Sequence, residues 1–245
     1  MHRSPVVWDP LYKELWRRLV LQVAGRYRDT PLLGVAIHGH NDVFEMYLSR
    51  KDEEVKRLKE LGWSLDLAEK EWKEWIDFFA KNFPSTRLIL VMSPISLASS
   101  GEVGQGTEKF VRRLVEYMDQ RHPGRLVLMS HALNGRTEQN RYWAMELCVE
   151  RADLPNIQET VGSFADHPER QGSVEMTALN MRRLNPSFYR AVAGDVPEGA
   201  TMGRLLAEYE RARKMTLDDY RKDLQKRGLF TTNDTWRVAK EQKQP

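Results

Sequence analysis

The sequence predicts an α/β protein in which a parallel sheet is covered by helices. Three observations lead there. Short runs of continuous aliphatic residues recur, as in "PLLGVAIHG", "RLILVMSP" and "RLVLMSHAL", which is the pattern of strands buried on both faces. Longer stretches between them repeat apolar residues three and four apart, the period of an amphipathic helix. The two kinds alternate along the chain, and a helix between two strands makes the crossover that parallel pairing needs.

Asp9 and Pro10 open the first helix, "LYKELWRRLVLQVAGRY", as cap and first residue. Leu11, Leu15, Leu19 and Val23 form one row along it, with Trp16 and Val20 beside that row. "TPLLGVAIHGH" reads as the first strand. Ser64 caps a helix over "SLDLAEKEWKEWIDFFAKNF", which Pro84 stops. Trp63, Trp72 and Trp75 lie in or near that helix and read as packing residues. "RLILVMSP" is the second strand. "SSGEVGQGTEKF" lacks the lysine and hydroxyl pair of a phosphate loop, so it reads as a flexible loop with Thr107 capping the next helix. "RLVLMSHAL" is the third strand and "RTEQNRYWAMELCVER" the helix after it. "NIQETVGS" is a fourth strand, "GSVEMTALNMRRL" a helix and "SFYRAVAG" a fifth strand. Two charged helices follow, "TMGRLLAEYERARK" and "TLDDYRKDLQKRG", and the last fifteen residues read as frayed. The expected division is one α/β domain over residues 1–200 and a charged helical extension over 201–245.

Composition narrows the partners. Of 245 residues 41% are hydrophobic and 30% charged, an ordinary globular balance. A net charge of +3, with basic residues mixed among acids, does not point to nucleic acid. No apolar run reaches the roughly 18 residues of a membrane span, and "MHRSPVVWDP" lacks the layout of a signal peptide. A cytoplasmic protein, or a segment of a longer one, is expected. The single cysteine, Cys148, excludes an internal disulfide and reads as a buried thiol.

In parallel α/β folds loops converge at the carboxyl ends of the strands, so ligands bind there. The first strand ends in His38, His40, Asn41 and Asp42, with Glu45 just beyond, among Phe44, Met46, Tyr47 and Leu48. The second offers Ser93 and Ser96, the third Ser130, His131 and Asn134, the fourth Gln158, Glu159 and Thr160, with His167 in the following loop. Alternation puts His38 and His40 on one face, opposite Val35 and Ile37. Since faces under helices favour branched aliphatics, the histidines are expected to point into a cleft. By the same rule Gln158 is expected to face inward with Asn156 and Thr160. Glu159 falls on the aliphatic side with Ile157 and Val161 unless a bulge re-aims it.

"VWDPLYKELWRRLVLQVAGRYRDTPLLGVAIHG", followed by "FEMYL", resembles the middle of a glycoside-hydrolase-type (β/α)₈ barrel of the β-galactosidase and cellulase kind. The likeness lies in the "W-D-P-x-Y" helix start, the "R-Y-x-D-x-P" turn, the strand and the glutamate after it, and it extends over roughly residues 6–195. It implies that the five strands correspond to strands four to eight of a TIM-type barrel, giving a partial barrel with outer helices and a helical tail. It also implies a catalytic pair, with Glu45 as acid/base and Glu159 as nucleophile. His38, His40, Asn41, His131, Asn134 and Gln158 would then bind sugar hydroxyls. Such chemistry needs no cofactor and no metal; two carboxyls about 5–5.5 Å apart retain configuration and about 6.5–9.5 Å apart invert it. The expected partner is a carbohydrate, with no nucleic acid and no membrane. Five strands leave an open edge, to be covered by a missing N-terminal segment or by a homo-oligomer.

Two other readings stand beside this one. "HGHND" resembles the metal-binding strand of amidohydrolases and dipeptidases; His38 and His40, with His131 or His167 and Asp42, would hold zinc in such a hydrolase. Where the glycosidases carry asparagine–glutamate, this chain has Asn41-Asp42, which with the parity of Glu159 suits a carbohydrate-binding protein that does not cleave.

Overall fold

The computed structural model describes residues 6–37, 52–92, 105–136, 143–160, 164, 171–190 and 200–230. The elements among them are α1 (Pro10–Tyr27), β1 (Val35–Ala36), α2 (Asp52–Glu60), α3 (Leu65–Asn82), β2 (Leu88–Met92), α4 (Gln105–Arg121), β3 (Leu126–Leu133), α5 (Trp143–Glu150), β4 (Asn156–Thr160), α6 (Val174–Leu184), β5 (Phe188–Arg190), α7 (Ala200–Arg213) and α8 (Leu217–Lys226). The strands form one all-parallel sheet in the order β1-β2-β3-β4-β5, each beside its predecessor in the chain. Val35 lies across from Leu88, and Ile157 across from Phe188. The α/β alternation expected from the sequence is therefore present. The chain divides into two compact units, residues 1–128 and 129–245.

In the first unit the core is built by α3, β2 and α4. Trp72, Trp75, Ile76 and Phe79 from α3 are buried, as are Leu88, Leu90 and Met92 from β2 and Phe110, Leu114 and Met118 from α4. Trp63 is buried as well, so all three tryptophans pack inward. Ser64 caps α3 as expected, its Oγ accepting from the amide of Leu67. The other end of α3 is held from a distance. The Arg125 guanidinium, just before β3, donates to the carbonyls of Ala80, Phe83 and Thr86, carbonyls left over where a helix ends. Burial lowers the Arg125 pKa from its ordinary value. Replacing Arg125 with methionine keeps the aliphatic stem and strands the Ala80 and Thr86 acceptors, while the Phe83 carbonyl keeps the Thr86 amide. A loss on the order of 3 kcal/mol is expected, since bonds from a charged donor are the stronger kind, read as a lower urea midpoint with unchanged slope.

Several local features depart from the sequence reading. α2, "DEEVKRLKE", has only two aliphatic residues and so no apolar stripe to announce it. β1 is shorter than its apolar run. α4 begins at Gln105, ahead of Thr107. The row Leu11, Leu15, Leu19 and Val23 of α1 is exposed, while Val20 and Ala24 are buried. α1 attaches to α3 through Lys13 and Arg17, and Val20 and Ala24 are buried on the same helical face. Lys13 Nζ bonds Glu71 and Glu74 at 2.7 and 2.9 Å, and the Arg17 guanidinium sits 5.5 Å from the centre of the Trp75 ring.

In the second unit α6 is the hub. Ser173 caps it by accepting from the Met176 amide, and Asn185, in the left-handed region at φ 44°, ends it. Arg183 of α6 pairs with Glu146 of α5. The two charged C-terminal helices are not merely a solvated extension. Ala212 of α7 and Tyr220 and Leu224 of α8 are buried in one cluster with Met176 and Leu179 of α6. Tyr220 Oη donates to Glu208 at 2.9 Å, and burial together with that bond raises the phenol's pKa.

Candidate functional site

β3 and β4 bring one pair of proton-handling groups together. His131 Nδ1 and Glu159 Oε2 are 3.2 Å apart, with 11% and 13% of their side chains exposed. Both stand near the carboxyl ends of parallel strands. A carboxylate beside Nδ1 accepts a hydrogen bond from Nδ1–H and fixes the tautomer, leaving the lone pair on Nε2, an atom buried from solvent. The arrangement is able to orient an imidazole for proton transfer, or to hold a carboxylate in one rotamer by a donated hydrogen bond.

The parity of β4 is the reverse of that expected. Gln158 is 0% exposed, and its Nε2 donates to Asn156 Oδ1 at 2.9 Å and to the thiol of Cys148 on α5 at 3.5 Å. Asn156 Nδ2 donates in turn to the carbonyl of Leu184, at the end of α6. The amide face of the strand is thus turned to the helices, where it satisfies a helix C-terminus. The aliphatic-outward rule fails because a polar side chain with a carbonyl to bond is stable under a helix. Glu159 accordingly emerges on the opposite face without any bulge, above Ile157. Gln158, expected to bind sugar hydroxyls, lies buried within this network.

Asn134 has a structural role. Its Oδ1 accepts from the Arg136 amide at 3.1 Å, and its carbonyl accepts from Asn180 Nδ2 of α6 at 2.8 Å. These bonds hold a backbone crossing in which Gly135 and Gly172 form a parallel bridge. The Gly135 amide donates to the Gln171 carbonyl, and the Ser173 amide donates to the Gly135 carbonyl at 3.0 Å. A Cβ at Gly135 would stand 1.8 Å from the Ser173 carbonyl oxygen. Gly172 has φ +70°, and its Cβ would stand 2.3 Å from the backbone of Gly135 and Arg136. Thr177 and Asn180, fully buried on α6, complete the crossing; Thr177 Oγ1 donates to the Ser173 carbonyl at 2.9 Å. Sequence reasoning passed over both glycines. The available signal was two polar residues, Thr177 and Asn180, inside the apolar stripe of "VEMTALNMRRL".

The remaining expectations divide cleanly. His38, His40, Asn41, Asp42, Glu45, Ser93, Ser96 and His167 lie outside the described residues. Thr160 Oγ1 lies 3.4 Å from Tyr189 Oη, and Ser130 is buried. Among the described residues no group of three or more His, Cys, Asp and Glu side chains is placed to hold a metal ion. Nor is any helix long and apolar enough to cross a membrane. A second titratable cluster, in the first unit, links α3 to α4. Asp77 accepts from Tyr117 Oη at 2.8 Å and lies 2.8 Å from His122 Nε2. Burial, reinforced by the bond to Asp77, pushes Tyr117 up to about 12.

Cys148 is buried on α5. Burial pushes its thiol up to about 12 from an ordinary 9.0, with Gln158 Nε2 pulling slightly back. The unfolded thiol ionises first, so the native state holds its proton longer. Its contribution to stability is complete below about pH 9 and is lost as pH rises toward 12. Native protein is expected to leave Cys148 unlabelled by an aromatic disulfide reagent at neutral pH and to label fully in urea. Cys148→Ala should remove this thiol's share of the alkaline loss; fast labelling of the folded protein would contradict the burial. No family model, curated protein or solved structure matches the chain.

Proposed function

We propose that the chain is a glycoside-hydrolase-like protein acting on or binding a carbohydrate, with Glu159 and His131 at the centre of its site. The observation that supports this best is the emergence of Glu159 on the face away from Gln158, within hydrogen-bonding reach of His131. A carboxylate held at the end of a parallel strand is what facing a developing oxocarbenium ion requires. Strand order supports the partial-barrel reading. A sheet running β1 to β5 without reversal has no switch point of the doubly wound kind, and it follows the progression of a (β/α)₈ barrel. Glu45 is proposed as the second carboxyl on its sequence position alone, in a run whose bulky neighbours would favour a protonated acid. The metal-hydrolase reading turns on His38 and His40.

The test is a panel of aryl glycosides and short oligosaccharides offered to the native chain and to Glu159→Gln in parallel. Turnover or saturable binding that the variant loses supports the reading. Equal behaviour of the two, or neither turnover nor binding across the panel, overturns it. Elemental analysis of the native protein discriminates the zinc-dependent alternative, which requires stoichiometric metal.

A further inference from the structure

We propose that Arg182 and Arg213 form a binding site for a phosphate group, at one end of the contact between α6 and α7. These two helices pack against each other. One face of α6 carries Glu175, Leu179 and Arg182, spaced four and three residues apart. Glu175 pairs with Arg204 of α7 at 2.9 Å, and Leu179 is buried. Arg182 follows two turns after Glu175, where its charge acts on Tyr209 of α7. α6 has three charged side chains, and two are matched: Glu175 by Arg204 and Arg183 by Glu146. Among the described residues Arg182 pairs with no carboxylate, and its Nε is buried without a hydrogen-bond partner. A cation in the last turn of a helix is favoured by the helix dipole. That explains the charge and leaves Nε unpaired, and a buried donor without a partner costs its desolvation.

The second guanidinium comes from α7. Arg213 lies over the Tyr209 ring, 5.9 Å from its centre. Burial raises the Tyr209 pKa, and the Arg213 and Arg182 charges pull it back. Arg213 pairs with Glu210 at 3.1 Å, but those side chains are 56% and 58% exposed, and so open a pair contributes little and exchanges readily. Two guanidiniums thus gather at one phenol, opposed by one surface acid. Their geometry selects phosphate. A planar carboxylate gripped by a guanidinium spends both oxygens on that one fork. Arginines from two different helices are matched together by a tetrahedral oxyanion, which keeps oxygens for each. The place is separate from the proposed carbohydrate site. Asn156, the first residue of β4, bonds the Leu184 carbonyl. The last turn of α6 therefore stands at the amino end of β4, whereas Glu159 stands near its carboxyl end. The inference does not depend on the chemistry of His131 and Glu159.

Isothermal titration of the full chain with inorganic phosphate, at ionic strength held constant with sodium chloride, tests this. One phosphate per chain is expected. Arg182→Gln and Arg213→Gln should each weaken it at least about 10-fold, since each removes bonds from a charged donor. Arg182→Lys should not restore it, because an ammonium lacks the planar fork. Lys214→Gln removes a neighbouring exposed cation and should bind as native does. Arg213 is exposed, so its variant stays folded whatever Arg182 adds to packing. Glucose 6-phosphate titrated in parallel separates two sources of the group: tighter binding than phosphate marks an ester ligand, and equal binding marks the free ion. No saturable binding by native protein up to about 10 mM phosphate, binding that survives Arg213→Gln, or an equal loss in Lys214→Gln each overturns the proposal.

Discussion

Gly135→Ala is expected to cost more than about 3 kcal/mol and to unfold the second unit under mild conditions. Ordinary overpacking costs about 1–3 kcal/mol because flexible side chains give way. Here the added Cβ would meet the Ser173 carbonyl oxygen at 1.8 Å and the Thr177 amide nitrogen at 2.7 Å. Both belong to the cap and first turn of α6, so relief requires shifting the helix on which α7 and α8 pack. Moving it breaks the bonds between Gly135, Gln171 and Ser173. Gly172→Ala should cost a similar amount, since it adds a left-handed backbone at φ +70° to a backbone clash. Gly203→Ala is the control. It lies in α7 with nothing within 4 Å of its Cβ, and it should stabilise by about 0.4–1 kcal/mol by restricting the unfolded chain. Urea unfolding followed through labelling of Cys148 measures all three in one assay. A Gly135→Ala protein with a native midpoint would mean that the crossing does not exist.

Where the native chain turns over a glycoside, Glu159→Gln is expected to lower that turnover by about 10²–10⁴-fold, the range for loss of a positioned proton-handling group. The substitution keeps shape and removes charge, so folding should change far less than kcat. His131→Asn should give a loss of comparable size. The double variant should lose little more than either single one, because groups acting as a unit are non-additive. A nucleophilic Glu159 and an orienting Glu159 separate in one further experiment. Exogenous azide rescues Glu159→Ala when a covalent glycosyl intermediate is bypassed, and it does nothing when the carboxylate only orients His131. If each single variant retained turnover within about twofold of native, the pair would be a structural link between β3 and β4 rather than a reacting centre.

Legibility followed the range of the interactions involved. Caps at Asp9 and Ser64 were readable because a capping side chain bonds amides two or three residues away. Strand and helix alternation was readable because a side chain's face repeats locally. Burial of Cys148 and of the three tryptophans followed from their apolar neighbours. The first helix showed where that logic stops. Its leucine row is as periodic as any core face, yet periodicity marks a stripe and does not say what covers it. Strand β4 failed in the opposite way. The parity of Asn156, Gln158 and Glu159 was correct as an alternation, and the assignment of sides was inverted. What set the sides was the Leu184 carbonyl, 28 residues from Asn156.

The sequence by itself determined that this chain alternates strands and helices, where most helices start, and which short list of imidazoles, amides and carboxylates ends the strands. These depend on dihedral preferences and on contacts within a few residues. Only the tertiary structure decided that Glu159 meets His131, that Asn156, braced by Gln158, serves a helix end, and that Gly135 must be glycine because α6 crosses it. Each of these depends on groups from distant parts of the chain meeting at hydrogen-bond or van der Waals distance. A change of an ångström alters which groups pair, and no local pattern encodes it.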